Sequence, residues 1–371
     1  MTDKKIPFVG LHAHSVAGSI FDAIGYPDEH MDFCYENGGE ALALTDHGNM
    51  NGFSHQFLHW QKMQSEGKEF KPIFGVEAYF LPSIDEWRDD YNRIKEDAKL
   101  AKSLAKEGNT SGATVEDEEA SKKAIKSVIN RRRHLILLAQ NQTGLNNLFK
   151  IVSESYREEN FYRYPRVDYD MLNRHSEGVI AASACLGGPY AGNYWANRDD
   201  GPEAVREAMR ETSRRFVEVF GDRWYGELQW NNIPEQHELN QYIIEVCKEF
   251  DITLISTADS HYPNGDAWKD RELYRRLGWL GKGSPAWAED NTELPAGVEE
   301  IGYELYPKNG NQMWNAYKYY SKTGGFEYDD QLVMDSITET HNIAFNRIED
   351  FTPDTTVKLP DFVVPAGFTD A

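Results

Sequence analysis

Residues 41–49 read ALALTDHGN, and this stretch decides the fold. The apolar run Ala41 to Thr45 is typical of a buried strand, and polar residues that can bind a metal follow it at once. Further runs of the same kind recur along the chain, separated by amphipathic segments of helical period such as Ala204 to Phe220 and Glu235 to Phe250. The predicted strands are Phe8 to Leu11, Ala41 to Thr45, Pro72 to Val76, Leu135 to Ala139, Gly178 to Ala182, Tyr225 to Leu228 and Ile252 to Ser256.

Strands that alternate with helices predict a parallel sheet with crossover helices, and about seven such units favour a barrel. We therefore expect an α/β fold in which residues 1–285 form a β/α barrel. The segment 84–130 is rich in Lys, Glu, Asp and Ala and predicts a helical insertion on the rim, with a turn at residues 109–114. Residues 286–371 are expected to form a C-terminal extension or linker, with a helix from Asp329, its N-cap, to Asp350.

The composition bounds the class of protein. A chain of 371 residues with 40% hydrophobic content can build one large barrel or two modest domains. No stretch of about 18 apolar residues occurs, and the N-terminus MTDKKIPFVG lacks the apolar region of a signal peptide. The 3 cysteines cannot form a disulfide framework. We expect a cytoplasmic protein with no membrane contact.

The formal charge of −22 disfavours strong autonomous binding to nucleic acid, because such binding depends on counterion release by basic groups. If the substrate is a nucleic acid, local basic clusters or a partner must hold it. The alternative for each cluster is a solvated helix face. The candidate clusters are Arg131, Arg132 and Arg133, and Lys269, Arg271, Arg275 and Arg276.

Ligand-type residues stand at four predicted strand ends, and Asp46 and His47 are those that follow the second strand. His12 and His14 follow the first strand, and their spacing lets both reach one metal, because residues two apart in a strand point to the same side. Glu77 ends the third strand, and Asp259 and His261 repeat the same spacing after the last. Barrel enzymes carry their chemistry at the C-terminal ends of strands, so these positions predict a metal site. Taken alone, a pair such as His12 and His14 could also be two satisfied structural histidines.

The motifs HxHS, TDHGN, GVE, HLILLAQN, SACLGG and DSHY together resemble the PHP (polymerase and histidinol phosphatase) family. They are most similar to the N-terminal PHP domains of bacterial DNA polymerase III alpha subunits. The resemblance covers residues 7–275, is weaker over 84–130, and extends along the C-terminal tail, which is similar to the segment leading into a polymerase body. It implies a distorted seven-stranded barrel that binds three divalent metal ions, Zn, Mn or Fe.

By motif match, the resemblance implies nine metal ligands. Grouped by ion, they are His12, His14, Glu77 and Asp259 for the first, Glu77, His134 and Cys185 for the second, and Asp22, His47 and His261 for the third. One departs from the family pattern: Asp22 lies eight residues after His14, where the family has seven, and Ala23 follows it instead of Gly. For Cys185 the alternative is an inert buried thiol, and for His134 an exposed side chain.

The resemblance further implies a metal-dependent phosphoesterase, most plausibly a 3′–5′ exonuclease that proofreads DNA. The residues expected to be catalytic are Glu77, Asp259, His261 and Asp46, the last of which could instead orient a ligand. Arg166 is a candidate for a substrate phosphate, with a salt bridge as the alternative.

The expected partners are a DNA 3′ end and a separately encoded polymerase chain or replisome subunit. The sequence contains no polymerase-type catalytic aspartates and no Walker A loop, so we do not expect DNA synthesis by this chain. It could be one piece of a split polymerase, as occurs in compact genomes such as those of phages. Two alternatives stay open: a metal-stapled interaction module, and a small-molecule phosphatase.

Overall fold

The computed structural model describes residues 5–106, 115–279 and 304–356. Strands and helices alternate along most of these ranges. The strands are β1 Ala41–Leu44, β2 Lys71–Phe80, β3 Arg133–Ala139, β4 Phe161–Tyr162, β5 Tyr164–Pro165, β6 Val179–Ala182, β7 Trp224–Gln229 and β8 Thr253–Thr257. The helices are α1 Pro27–Glu36, α2 Phe53–Ser65, α3 Ile84–Lys106, α4 Val115–Ile129, α5 Gln142–Ser155, α6 Tyr169–His175, α7 Pro189–Asn197, α8 Pro202–Phe220, α9 Pro234–Glu249, α10 Trp268–Trp279, α11 Gly310–Gly324 and α12 Asp330–Asn342.

Six strands form one curled, mixed sheet in the order β1-β2-β3-β6-β7-β8, and β4 pairs separately with β5. The predicted all-parallel sheet is wrong at β3, which runs antiparallel to both β2 and β6. The chain passes through α3 and α4 before this strand and through α5 and α6 after it, and Phe80 at the end of β2 lies opposite Arg133 at the start of β3. The number of helices alone does not set strand direction, since α7 and α8 connect the parallel strands β6 and β7.

The predicted first strand, Phe8 to Leu11, is an extended segment that forms single bridges instead of a ladder. Gly10 bridges Leu42 beside β1, and Ala13 bridges Ser260 just beyond β8. The amide of Ala43 donates to the carbonyl of Gly10 at 2.8 Å, and the amide of His14 donates to that of Ser260 at 2.7 Å. The described sheet therefore has six strands, and this segment links its two edges. Seven strands are not confirmed.

Residues of opposite parity along the strands pack into two separate apolar cores. Leu135 and Leu137 face the core beneath the helices, whereas Ile136 and Leu138 face the concave side of the sheet. A π-helix, Ile343–Arg347, fills one end of that concave side with apolar residues. Lys71, the first residue of β2, donates to the carbonyl of Ile348 at 2.7 Å, so the filled end is the one where β2 begins. The opposite end is left for polar side chains.

The segment from residue 304 packs against β8 of the curled sheet and against α9. Asp329 caps α12 as predicted, accepting a hydrogen bond from the amide of Gln331 at 2.8 Å. Ser336 in this helix hydrogen-bonds Ser256 of β8 at 2.7 Å between hydroxyl oxygens. The predicted domain boundary at residue 285, the turn at 109–114 and the tail from residue 357 lie outside the described residues.

The predicted helical insertion is present as α3 and α4. At its base the two helices are joined to each other, because the Trp87 indole of α3 donates to the carbonyl of Val128 in α4 at 2.8 Å. None of the described helices combines the length and the apolarity that crossing a bilayer requires.

Candidate metal centre

The first group of candidate ligands lies where the segment after residue 8 crosses the open end of the curled sheet. His12 and His14 are both buried, and their Nε2 atoms are 3.1 Å apart. Glu77 Oε2 and Asp259 Oδ1 lie 2.9 Å and 3.0 Å from His12 Nε2. One ligand atom from each of these four residues lies within 4.8 Å of the others. This is the set that the sequence predicts for the first ion.

The two carboxylate oxygens of Glu77 face different neighbours. Oε2 faces His12, while Oε1 lies 2.7 Å from Nδ1 of His47 and 2.7 Å from Nδ1 of His134. Burial raises the pKa of Glu77, but His134 and His47 outweigh it and hold this pKa well below its usual range. An ionised carboxylate in this position can be shared between two cations.

Cys185 lies at the margin of the second group. Its sulfur is 3.6 Å from Nδ1 of His134 and accepts a hydrogen bond from the amide of Gly187 at 3.4 Å. Burial and the carboxylates of Asp259 and Glu77 raise the pKa of the Cys185 thiol well above its usual range. A bound divalent ion reverses such a shift, because a coordinating thiol is deprotonated.

Asp22 reaches the third group despite its altered spacing. Its Oδ2 lies 3.0 Å from His47 Nε2 and 3.4 Å from His261 Nε2. Phe21, just before it, adopts φ 64°, a left-handed conformation that is unusual for a bulky residue and turns the chain here. Arg271 donates to the Asp22 carbonyl at 2.6 Å and to its Oδ1 at 2.9 Å.

The buried ion pair with Asp22 also corrects an expectation about Arg271. Its side chain is only 6% exposed, so its guanidinium serves a candidate ligand and is not presented to a nucleic acid. The side chain of Arg276 lies outside the described residues.

The donor set fits divalent ions. Asp259 Oδ1 is buried and has no partner of good hydrogen-bond geometry, although His12 and His14 nitrogens lie 3.0 Å and 3.2 Å away. An orphaned buried carboxylate oxygen among imidazoles is expected where a cation binds. Burial lowers the pKa of His261 to about 4, so its imidazole is neutral at pH 7, as a metal ligand must be. Imidazoles, carboxylates and a thiol together suit Zn, Mn or Fe.

Glu227 belongs to the site, and the sequence analysis did not identify it. Its Oε1 lies 2.7 Å from His12 Nδ1 and accepts a hydrogen bond from the side-chain amide of Gln229 at 3.0 Å. The side chain of Glu227 is fully buried. A carboxylate on the far nitrogen of a ligating histidine fixes the ring and its tautomer. The signal that could have revealed it is an acidic residue inside an otherwise apolar predicted strand, Tyr225 to Leu228.

Asp46 organises the loop behind the ligands. It accepts hydrogen bonds from the Ser15 amide at 2.6 Å, the Ser15 hydroxyl at 2.9 Å and the Ser19 hydroxyl at 2.8 Å. Ser19 in turn lies 3.3 Å from His14 Nδ1 and accepts from the amide of His47 at 3.1 Å. These contacts fit a positioning role, acting through Ser19 on two candidate ligands.

Arg166 has a structural environment that argues against its predicted contact with a substrate phosphate. Its side chain is fully buried, and its guanidinium donates to the carbonyls of Tyr162, Tyr164 and Ile129 at 3.0, 2.9 and 2.7 Å. The same group stacks on Trp87, with the guanidinium carbon 3.7 Å from the ring centroid. It therefore fastens the helical insertion to the barrel.

The fold and the site define a mixed α/β protein with a cluster of buried His, Glu and Asp side chains at the open end of a curled sheet. The family model described as "PHP domain" matches residues 10–231, and the chain belongs to this family. The chain is 36% identical over 257 residues to the DNA polymerase III subunit alpha of Aquifex aeolicus, covering 69% of this chain and 18% of that protein. It is 31% identical over 317 residues to the same subunit of Treponema pallidum, covering 85% of this chain and 22% of that protein.

The chain therefore spans about a fifth of the length of these curated relatives. Among solved structures, an amidohydrolase from Chromobacterium violaceum matches with 14% identity and a TM-score of 0.33, covering 72% of this chain and 96% of that one. A proposed metal-dependent phosphoesterase from Bifidobacterium adolescentis matches with 12% identity and a TM-score of 0.34, covering 69% and 88%. Scores this low carry no argument about this chain.

Proposed function

We propose that this chain is the PHP portion of a DNA polymerase III alpha-type polymerase and a metal-dependent phosphoesterase that removes nucleotides from DNA 3′ ends. The observation that carries the proposal is the position of Glu77, whose two oxygens face separate groups of candidate ligands. The relatives from Aquifex and Treponema supply the polymerase context. They are bacterial and give no support to a phage origin.

The roles proposed for the chain's residues follow from these contacts. His12, His14, Glu77 and Asp259 would hold the first ion, His134 and Cys185 would join Glu77 at the second, and Asp22, His47 and His261 would hold the third. Bound divalent ions supply an activated water and stabilise charge on the phosphate. Glu77 would keep two ions close, Glu227 would fix the ring of His12, and Asp46 would position His14 through Ser19.

The test is release of mononucleotides from a primer with a mismatched 3′ end, by purified protein supplied with Mn²⁺ or Zn²⁺. Asp259→Ala should abolish release, because it removes an oxygen from the first group, while the two apolar cores keep the fold. Asp200→Ala is the matched control, since it removes an exposed carboxylate outside the candidate centre. No release by wild type whose bound metal is verified by elemental analysis would refute the proposal, and equal release by Asp259→Ala would remove the first group from the chemistry.

The runner-up is a metal-stapled module that braces a separately encoded polymerase chain. It is favoured by the burial of His12, His14, Glu77 and Asp259, because an ion held among them would join distant parts of the chain. Chelation separates the two, because the enzyme loses hydrolysis with its fold intact, whereas the module loses its fold and its partner together. A small-molecule phosphatase would prefer p-nitrophenyl phosphate to the primer end.

A further inference from the structure

Arg132 lies at the rim of the candidate metal centre. It stands two residues before His134, and residues two apart in an extended chain point to the same side. In the sheet, Tyr79 lies directly opposite His134, and the two ring centroids are 5.7 Å apart. The guanidinium carbon of Arg132 lies 5.1 Å from the centroid of that Tyr79 ring. A run of contacts thus connects Arg132 to the ligand cluster.

The guanidinium of Arg132 has hydrogen-bonding capacity that the described protein leaves unused. Its Nε is buried without a partner, and its Nη1 makes one long contact, 3.4 Å, to the carbonyl of Asn130. No carboxylate among the residues of the three described ranges forms an ion pair with it. Its neighbour Arg131, by contrast, pairs with Asp90 at 2.5 Å. Of these adjacent cations, only Arg131 has its charge offset by an acid in this part of the structure.

Aromatic rings hold the Arg132 guanidinium in place. It stacks on Tyr164 with its carbon 3.8 Å from the ring centroid, in addition to its contact with Tyr79. Stacking of this kind fixes the plane of the guanidinium while leaving its edge available for hydrogen bonds. The side chain is half-buried beside Tyr79, whose ring neighbours the candidate ligand His134.

The geometry points to Arg132 as the residue that binds a phosphate group of the substrate beside the candidate metal centre. This inference rests on the proposed function. A phosphate ester approaching Glu77, Asp22 and Asp259 on a chain of charge −22 needs a fixed cation. A guanidinium offers two parallel N–H groups that match phosphate oxygens. The role that the sequence suggested for Arg166 is thereby assigned to Arg132.

The test compares Arg132→Met with Arg131→Met, two neighbouring substitutions that remove the same charge. The probe is a 5′-fluorescein single-stranded oligodeoxynucleotide with phosphorothioate linkages at its 3′ end, followed by fluorescence anisotropy with Mn²⁺ present. We expect Arg132→Met to weaken binding about tenfold or more, as for loss of a charged hydrogen bond. Arg131→Met should stay within about twofold of wild type, as for a surface ion pair.

Two further measurements distinguish a direct contact from a general effect. Arg132→Met should lower the slope of log affinity against log salt by about 0.7, the value for one phosphate contact on a single strand. Elemental analysis should find the same metal content in both variants. If Arg132→Met loses metal or folded structure, Arg132→Lys decides: affinity equal to wild type overturns the inference, and weaker binding supports it because a point charge cannot replace the fork.

The outcomes separate this inference from the proposed hydrolysis. If binding of the oligonucleotide depends on Arg132 but no nucleotides are released from an unmodified oligonucleotide, the inference stands and the proposed hydrolysis is refuted. If both variants release nucleotides equally and bind the oligonucleotide with equal affinity, the hydrolysis stands and the inference about Arg132 is overturned. Absence of binding by wild type also overturns the inference. A higher KM of Arg132→Met for p-nitrophenyl phosphate as well assigns the contact to the phosphate that is cleaved. An effect confined to the oligonucleotide assigns it to a neighbouring phosphate.

Discussion

Glu227 controls a candidate ligand without being one itself. Its carboxylate lies 2.7 Å from Nδ1 of His12 and fixes which ring nitrogen is available to a metal. Glu227→Gln keeps the shape of the side chain but removes the charge, so we expect metal affinity to fall by about 10-fold to 100-fold. Competition with a chromogenic chelator measures the change.

The exposed Glu218→Gln is the matched control for this prediction, because it removes a carboxylate of the same kind from the surface of α8. Unchanged affinity in both variants would mean that the contact between Glu227 and His12 does not tune the site.

Lys308 allows a pH-dependent test of buried charge. Burial lowers the pKa of its amine to about 8, although Glu304 acts in the opposite direction. Between pH 8 and the pKa of about 10.4 that a lysine has in the unfolded chain, the unfolded chain binds more protons at this lysine than the folded protein does. The free energy of unfolding therefore rises with pH over this range. We expect the free energy of unfolding of wild type, relative to Lys308→Met, to increase by about 3 kcal/mol across this window.

Urea titrations of both proteins from pH 7 to pH 10.5 measure that difference, and tyrosines that titrate in the same range cancel because both proteins contain them. A constant difference would show that Lys308 stays charged in the folded protein at pH 9.

Sequence motifs were sufficient to find side chains that converge, and insufficient to define their surroundings. His12, His14, Glu77 and Asp259 follow from spacing at strand ends, and the structure brings their ligand atoms together. Glu227 was missed because a single acid inside a strand has no partner motif. The prediction for Arg166 could not anticipate its surroundings, because a sequence does not show whether an arginine's donors meet carbonyls or solvent.

At the scale of elements, the sequence pattern was right for most strand directions and wrong for one. β1 with β2, β6 with β7 and β7 with β8 are parallel, as predicted. The helical insertion was predicted from its composition, but its consequence for β3 was not. Counting the helices would not have settled it, because two helices, α7 and α8, also connect the parallel strands β6 and β7.

The base of the insertion depends on Arg166, which joins α4 to the β4–β5 hairpin. Arg166→Met leaves the carbonyl of Ile129 without this donor in buried surroundings, and those of Tyr162 and Tyr164 without it in partly buried ones. A buried unsatisfied group costs about 1–3 kcal/mol, so we expect a loss of about 2 kcal/mol or more in the free energy of unfolding. Urea denaturation followed by circular dichroism measures it.

Arg131→Met is the matched control for this loss, and as an exposed surface change it should stay within about 0.5 kcal/mol of wild type. Equal stability of Arg166→Met would mean that the insertion is held by its apolar contacts, such as Trp87 and Val128, and that the arginine is dispensable.

For the whole molecule, the charge of −22 opposes compaction, and the candidate centre concentrates part of it in a buried place. His12, Glu77 and Asp259 come from distant parts of the chain, so an ion among them would bind the folded chain and not the unfolded one. Such a ligand stabilises by mass action, with about 2.7 kcal/mol at a free concentration 100 times its dissociation constant.

We therefore expect EDTA to lower the melting temperature of Mn²⁺-loaded wild type, and to have less effect on Asp259→Ala, which lacks one oxygen of the first group. The helical circular dichroism signal at 25 °C should persist, because the residues of the two apolar cores are not candidate ligands and stay packed without the ion. Loss of that signal on chelation would favour the metal-stapled module over the enzyme. Identical melting curves with and without EDTA would mean that no ion is held, and the convergence of these side chains would then need another explanation.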